Sequence, residues 1–117
     1  MKIAVDIDNT ITLNPKKLQR LMRALKTSGN EVNILTGNAD KEVPYDVRMK
    51  QLADLGLINK VDFDYVYVVN GDTEKEVAIS KAEILMVEEY DIFIDDSLEN
   101  IARAKKRNKN LLCLLPY

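Results

Sequence analysis

Histidine is absent from this 117-residue chain, and cysteine occurs once, as Cys113. The first absence excludes Ser-His and Cys-His nucleophilic sites and His-ligated zinc, leaving carboxylates, lysine and hydroxyl groups to carry any chemistry. The second excludes an internal disulfide; Cys113 falls in an apolar run, as a strand residue in a reducing compartment would. No apolar stretch approaches the ~20 residues that cross a bilayer. Asp6 and Asp8 interrupt the N-terminal segment where a signal peptide would be continuously hydrophobic, so a cytoplasmic location and no membrane partner are expected. An excess of charge of one sign is lacking too. Seventeen Lys and Arg against 19 Asp and Glu leave a net charge of −2, too little to support nucleic-acid binding from field strength.

What is present fits one domain with a single core, 46% of the residues being hydrophobic and 31% charged. Short apolar runs, each followed by a polar turn and an amphipathic segment, recur along the chain. That is the pattern of β-α units around a mostly parallel sheet. Five runs, over residues 2–6, 31–35, 65–69, 91–95 and 111–115, are rich in the residues of buried strands. The expected architecture is therefore α/β, a single Rossmann-like three-layer domain with a mostly parallel five-stranded sheet and no cap domain. Leu18, Leu21, Met22 and Leu25 recur at helical spacing, with Asn14 and Pro15 as the start and Gly29 as the stop. A second helix is expected over residues 44–55, ending at Gly56. Ser80 with Glu83 forms a capping-box pattern that would start a helix at Lys81 and leave residues 70–79 as a loop; Asp96 with Glu99 would start another.

In an open parallel sheet, ligands sit at the carboxyl ends of the strands, where loops diverge and helix N-termini point outward. The first run ends in Asp6-Ile7-Asp8-Asn9-Thr10, the second in Thr36-Gly37-Asn38 and the fourth in Asp95-Asp96-Ser97, with Lys81 at the proposed start of a helix. Taken singly, each group is ordinary turn or cap chemistry. Together they would place four carboxylates on one edge, and these repel unless a cation neutralises them. All-oxygen ligation without histidine or thiolate suits Mg2+, with Asp6, Asp8, Asp95 and Asp96 as candidate metal ligands. Thr10, Thr36, Gly37, Asn38 and Lys81 are then candidate contacts to the oxygens of a phosphorylated substrate, which could be a nucleotide, a sugar phosphate or a phosphate on a macromolecule.

Asp-x-Asp-x-Thr, a strand ending in Thr, a later Lys and a strand ending in Asp-Asp resemble, in order, the four signatures of the haloacid-dehalogenase superfamily. The resemblance runs along nearly the whole chain and implies a capless member of it: a Mg2+-dependent phosphatase working through an aspartyl-phosphate. It implies Asp6 as nucleophile, Asp8 as general acid and base, Thr36 and Lys81 as holders of the transferring oxygens, and Asp95 or Asp96 completing the metal shell. Capless relatives leave the site open or borrow a neighbouring subunit as a lid, which allows a homo-oligomer. The departure at Asn9, where glycine is usual, falls at a position whose positive φ asparagine also tolerates.

Two other readings compete. A receiver-like phosphoacceptor shares the aspartate, magnesium and lysine, but its acceptor should follow the third strand and its lysine the fifth. Here those strands end in Val69-Asn70 and Leu115-Pro116. A catalytically inactive binding module that keeps the fold would have no evident need for Asp6, Asp8, Thr36, Lys81 and Asp95 together.

Overall fold

A computed structural model describes residues 1–40 and 42–117. Strand β1 (Lys2–Val5) is followed by a wide, kinked turn over Ile7–Ile11. The chain continues through α1 (Pro15–Thr27), β2 (Glu31–Ala39), α2 (Tyr45–Asp54), β3 (Val66–Gly71), α3 (Glu74–Val87), β4 (Ile92–Ile94), α4 (Leu98–Arg107) and β5 (Leu112–Leu114). The five strands form one sheet in the order β3-β2-β1-β4-β5, and every pairing is parallel. The chain is thus a single Rossmann-like three-layer domain whose sheet is all-parallel rather than mostly so.

The layers follow from the alternation of side chains along each strand. Ile3, Val5, Val32 and Ile34 pack with Leu18 and Met22 of α1 and Leu52 of α2 in one core. Ala4, Leu35, Val69 and Phe93 face the other way, onto Leu85 of α3 and Ala104 of α4. The strand order turns about β1, which has β2 on one side and β4 on the other. The crevice outside the carboxyl ends of these strands is the topological switch point, where doubly wound sheets bind ligands.

Helix α1 starts and stops where its sequence directs. The Asn14 side chain accepts from the Lys17 N–H, Pro15 occupies the first turn, and Gly29 adopts a φ of +90° just past the end.

Three expected boundaries are corrected. Residues 70–79 are not a loop: β3 runs on to Gly71, and α3 begins at Glu74 with Thr73 as its cap, the Thr73 hydroxyl accepting from the Glu76 N–H. Lys81 therefore sits inside α3, not at a helix start. Thr36, Gly37 and Asn38 lie within β2, paired with Val68, Val69 and Asn70, rather than beyond its end. The cap of α4 is Ser97, which accepts from the Asn100 N–H; Asp96 stands one residue outside it.

Candidate functional site

The turn after β1 presents the first acidic residues. Asp6 still belongs to the sheet edge, its N–H donating to the Ile94 carbonyl at 3.0 Å. Asp8 is extended, and Asn9 takes the left-handed conformation with φ 56°, the backbone state anticipated for it. The Thr12 hydroxyl accepts from the Asn9 N–H at 2.8 Å and holds the turn open.

Across the switch point, β4 delivers Asp95 and Asp96. Asp95 is fully buried and accepts from the Ser97 N–H at 2.8 Å and the Asn100 amide at 3.0 Å. Between the two strand ends lies the ammonium of Lys81, 2.8 Å from Asp95 Oδ2 and 3.2 Å from Asp6 Oδ1, itself only 2% exposed. Asp96 is tied to the β1 turn through Thr10, whose hydroxyl accepts from the Asp96 N–H at 3.2 Å. A buried lysine can remain charged in this place because carboxylates surround it. Burial opposes its charge, but Asp6 and Asp95 outweigh burial and raise its pKa above the usual value. Burial, with Asp95 adding to it, pushes Asp6 up to about 7 against the pull of Lys81. Asp96 is raised for the same two reasons, burial and Asp95.

Among the described residues, Asp6, Asp95 and Asp96 offer carboxylate oxygens that all lie within 4.8 Å of one another. Opposite ligands of Mg2+ stand about 4.2 Å apart, twice its bond length, so this donor set fits a small hard cation after slight closing or with water in between. Three carboxylates and one ammonium leave an uncompensated negative charge that such an ion would offset. Asp8 is not brought into this group, contrary to the fourfold ligand set expected. It is half exposed and held away by α2, 3.0 Å from an Arg48 nitrogen and 3.1 Å from the Gln51 amide.

The other anticipated residues are distributed around this centre. Thr36 is fully buried, and its hydroxyl has no hydrogen-bond partner. Gly37 lies where a Cβ would come within 2.3 Å of Val77 Cγ1 and 3.2 Å of Lys81 Cε, so only glycine lets β2 pass α3 here. Asn38 is buried and donates to Asn70 at 2.9 Å. It also accepts from Arg48.

Arg48 escaped the sequence reading because a lone arginine on a helix reads as a solvated face. A signal was present, however: Arg48 stands four residues before Leu52, on the buried stripe of α2.

Two clefts open on this edge. One, of about 340 Å3, is bounded by Asp6, Asn9, Lys81, Asp96, Ser97 and Asn100. The other, of about 730 Å3, is bounded by Val43, Val47, Arg48, Gln51 and Leu55. They share Asp8, Gly37, Ala39 and Glu74 as a common rim.

The fold and this edge define a class: a doubly wound α/β domain with an acidic crevice at its switch point. No family model matches the sequence, and no curated protein matches it. Among solved structures, the chain is similar to a universal stress protein in complex with cAMP, with a TM-score of 0.60 and 14% identity over 100% of this chain and 96% of that one. At that identity the likeness carries the fold. It also corrects the assignment drawn from the four short motifs. The matched structure is a universal stress protein and not a haloacid-dehalogenase hydrolase, so membership of that superfamily, the Mg2+-dependent phosphatase activity and the nucleophile and acid-base roles of Asp6 and Asp8 are withdrawn. The physical reason for the over-reading is that each motif fixes only one to three residues. Carboxylates and threonines at strand ends suit the ligand-binding edge of doubly wound domains in general. Among the described residues, no helix is long and apolar enough to cross a membrane.

Proposed function

We propose that this chain is a binding domain for a phosphorylated nucleotide, held at the carboxyl edge of the sheet together with Mg2+. The observation that carries the reading is the pair of clefts with a common rim. One is small, acidic and bounded by Asp6, Lys81 and Asp96; the other is roomier and partly apolar, with Val43, Val47 and Leu55 in its wall. A ligand with an anionic end and a flat organic body fits such a pair, the phosphate over the cation and the base against the aliphatic side chains. The universal stress protein that shares the fold is solved with cAMP, which supports the same ligand class. A cytoplasmic location, where nucleotides and Mg2+ are both abundant, goes with it.

In this reading Asp6, Asp95 and Asp96 hold the ion directly or through water, and Asn9, Ser97 and Asn100 offer polar groups around the phosphate. The cation is indispensable, because a phosphate entering a crevice of three carboxylates meets one ammonium that is already shared by two of them.

Calorimetric titration with AMP, ATP, cAMP and ribose 5-phosphate, with Mg2+ and with chelator, tests the proposal. Binding should require Mg2+, favour nucleotides over ribose 5-phosphate, and weaken by about 10-fold or more in Asp96→Asn. Binding indifferent to chelator, no binding to any of the four, or steady release of inorganic phosphate from the nucleotide would overturn it.

A further inference from the structure

The rim shared by the two clefts is formed by Asp8, Gly37, Ala39 and Glu74. Gly37 and Ala39 bring no polar side chain, and Glu74 stands exposed in the first turn of α3. Asp8, by contrast, is fixed. Its backbone is extended, with φ −66° and ψ 130°, inside a turn otherwise wound like a helix, and its carboxylate lies against α2. There one nitrogen of the Arg48 guanidinium stands 3.0 Å from Asp8 Oδ2 and donates to Gln51 Oε1 at 2.8 Å. The Gln51 amide in turn donates to Asp8 Oδ1 at 3.1 Å. The three side chains thus close a ring. Its base is firm, because the Arg48 side chain is buried and its other terminal nitrogen donates to Asn38.

A held carboxylate at this point has a restricted choice of partner. It can only accept hydrogen bonds, through ~four lone-pair sites on its two oxygens. Arg48 and Gln51 occupy one side of each oxygen, yet the Asp8 side chain remains 51% exposed, so the unused sites open onto the rim. A phosphate oxygen has nothing to donate there. A second cation has little to gain, since Arg48 already balances the charge of Asp8. Neutral hydroxyl groups are the partners that remain. In a nucleotide with its phosphate in the acidic cleft and its base in the apolar one, the part that crosses the rim is the sugar, and its hydroxyls are such donors.

We propose that Asp8 accepts from the ribose hydroxyls and thereby makes the site select ribonucleotides over 2′-deoxyribonucleotides, an assignment that rests on the nucleotide reading above. Arg48 and Gln51 are then positioning residues, holding the carboxylate ready before the ligand arrives and lessening the ordering cost of binding. A hydrogen bond to a charged acceptor discriminates more strongly than a neutral one, but water competes at a half-exposed group, so the preference should be about 10-fold.

Calorimetric titration with AMP and with 2′-deoxy-AMP, both in Mg2+, tests the assignment. The wild type should bind AMP about 10-fold more tightly. In Asp8→Ala the two affinities should converge. Removing a carboxylate also lessens repulsion of the phosphate, but for both ligands alike, so the ratio of the two affinities is the readout. Asp8→Asn, which keeps the shape and loses the charge, should likewise shrink the ratio and serves if the alanine variant fails to fold. Equal affinity of the wild type for AMP and 2′-deoxy-AMP overturns the role of Asp8 and leaves the nucleotide reading standing. A preference that survives intact in the Asp8 variants does the same. No binding of either nucleotide overturns both.

Discussion

Lys81 is the residue on which the crevice turns. Its ammonium is enclosed, and both neighbours are carboxylates at hydrogen-bond distance. The net worth of such a cluster is small, since desolvation of the charges consumes most of what their attraction supplies. Removing one member is a different matter, because it strands the rest. Lys81→Met keeps the length and apolar stem but leaves Asp6 and Asp95 without a counter-charge, so unfolding free energy should fall by about 3–5 kcal/mol near neutral pH. The loss should shrink in acid, where the stranded carboxylates can take up protons and become neutral. Urea unfolding of wild type and variant at the two pH values separates the causes. An equal loss at both would place the effect in packing and not in charge.

At the scale of elements, the instructive case is the start of α3. Around the start of α3 the pattern Ser/Thr-x-x-Glu occurs twice, at Thr73–Glu76 and at Ser80–Glu83, seven residues apart, which is two helical turns. Local chemistry alone does not rank them, and the Ser80–Glu83 pattern is the one that would start the helix at Lys81. Tertiary structure ranks them: β3 continues to Gly71, whose missing side chain lets the Val77 backbone nitrogen approach within 3.2 Å of where a Cβ would stand, and the helix must begin at once. Thr73→Ala should therefore cost about 1 kcal/mol, the usual worth of an N-cap, whereas Ser80→Ala, inside the helix, should cost almost nothing or stabilise slightly. Thermal or urea unfolding of the two variants checks this, and the reverse order would restore the later start. The same contrast explains what could be read beforehand. The five strands and α1 were legible because apolar periodicity and caps are local. The meeting of Asp6, Lys81 and Asp95 was legible because parallel topology sends strand ends to one edge, even with the helix start misplaced. The length of β2 and the diversion of Asp8 onto α2 were not, since each depends on which helix packs beside which strand. Activity was the least legible of all, because motifs that fix one to three residues mark an edge and not a reaction.

For the whole molecule, the acidic edge links stability to protons, and the proposed Mg2+ site would link it to metal as well. Asp6 has a folded pKa of about 7 against an ordinary value of 3.8. Between those values the folded chain holds a proton that the unfolded chain releases. The sign follows: without metal, the contribution of Asp6 to stability is greatest below its unfolded pKa and is lost as pH rises toward about 7. A cation bound at Asp6, Asp95 and Asp96 reverses the preference, because it favours the ionised carboxylate and must displace that proton. Stabilisation by Mg2+ should accordingly be slight near pH 5 and grow through neutrality, reaching about 2.7 kcal/mol once the ion is at about 100 times its dissociation constant. Thermal melts across this range, with and without Mg2+, give the curve directly. A Mg2+ effect that is flat with pH would mean that the ion sits away from Asp6, whereas one that rises and then disappears in Asp96→Asn would tie the proton, the cation and the crevice to a single equilibrium.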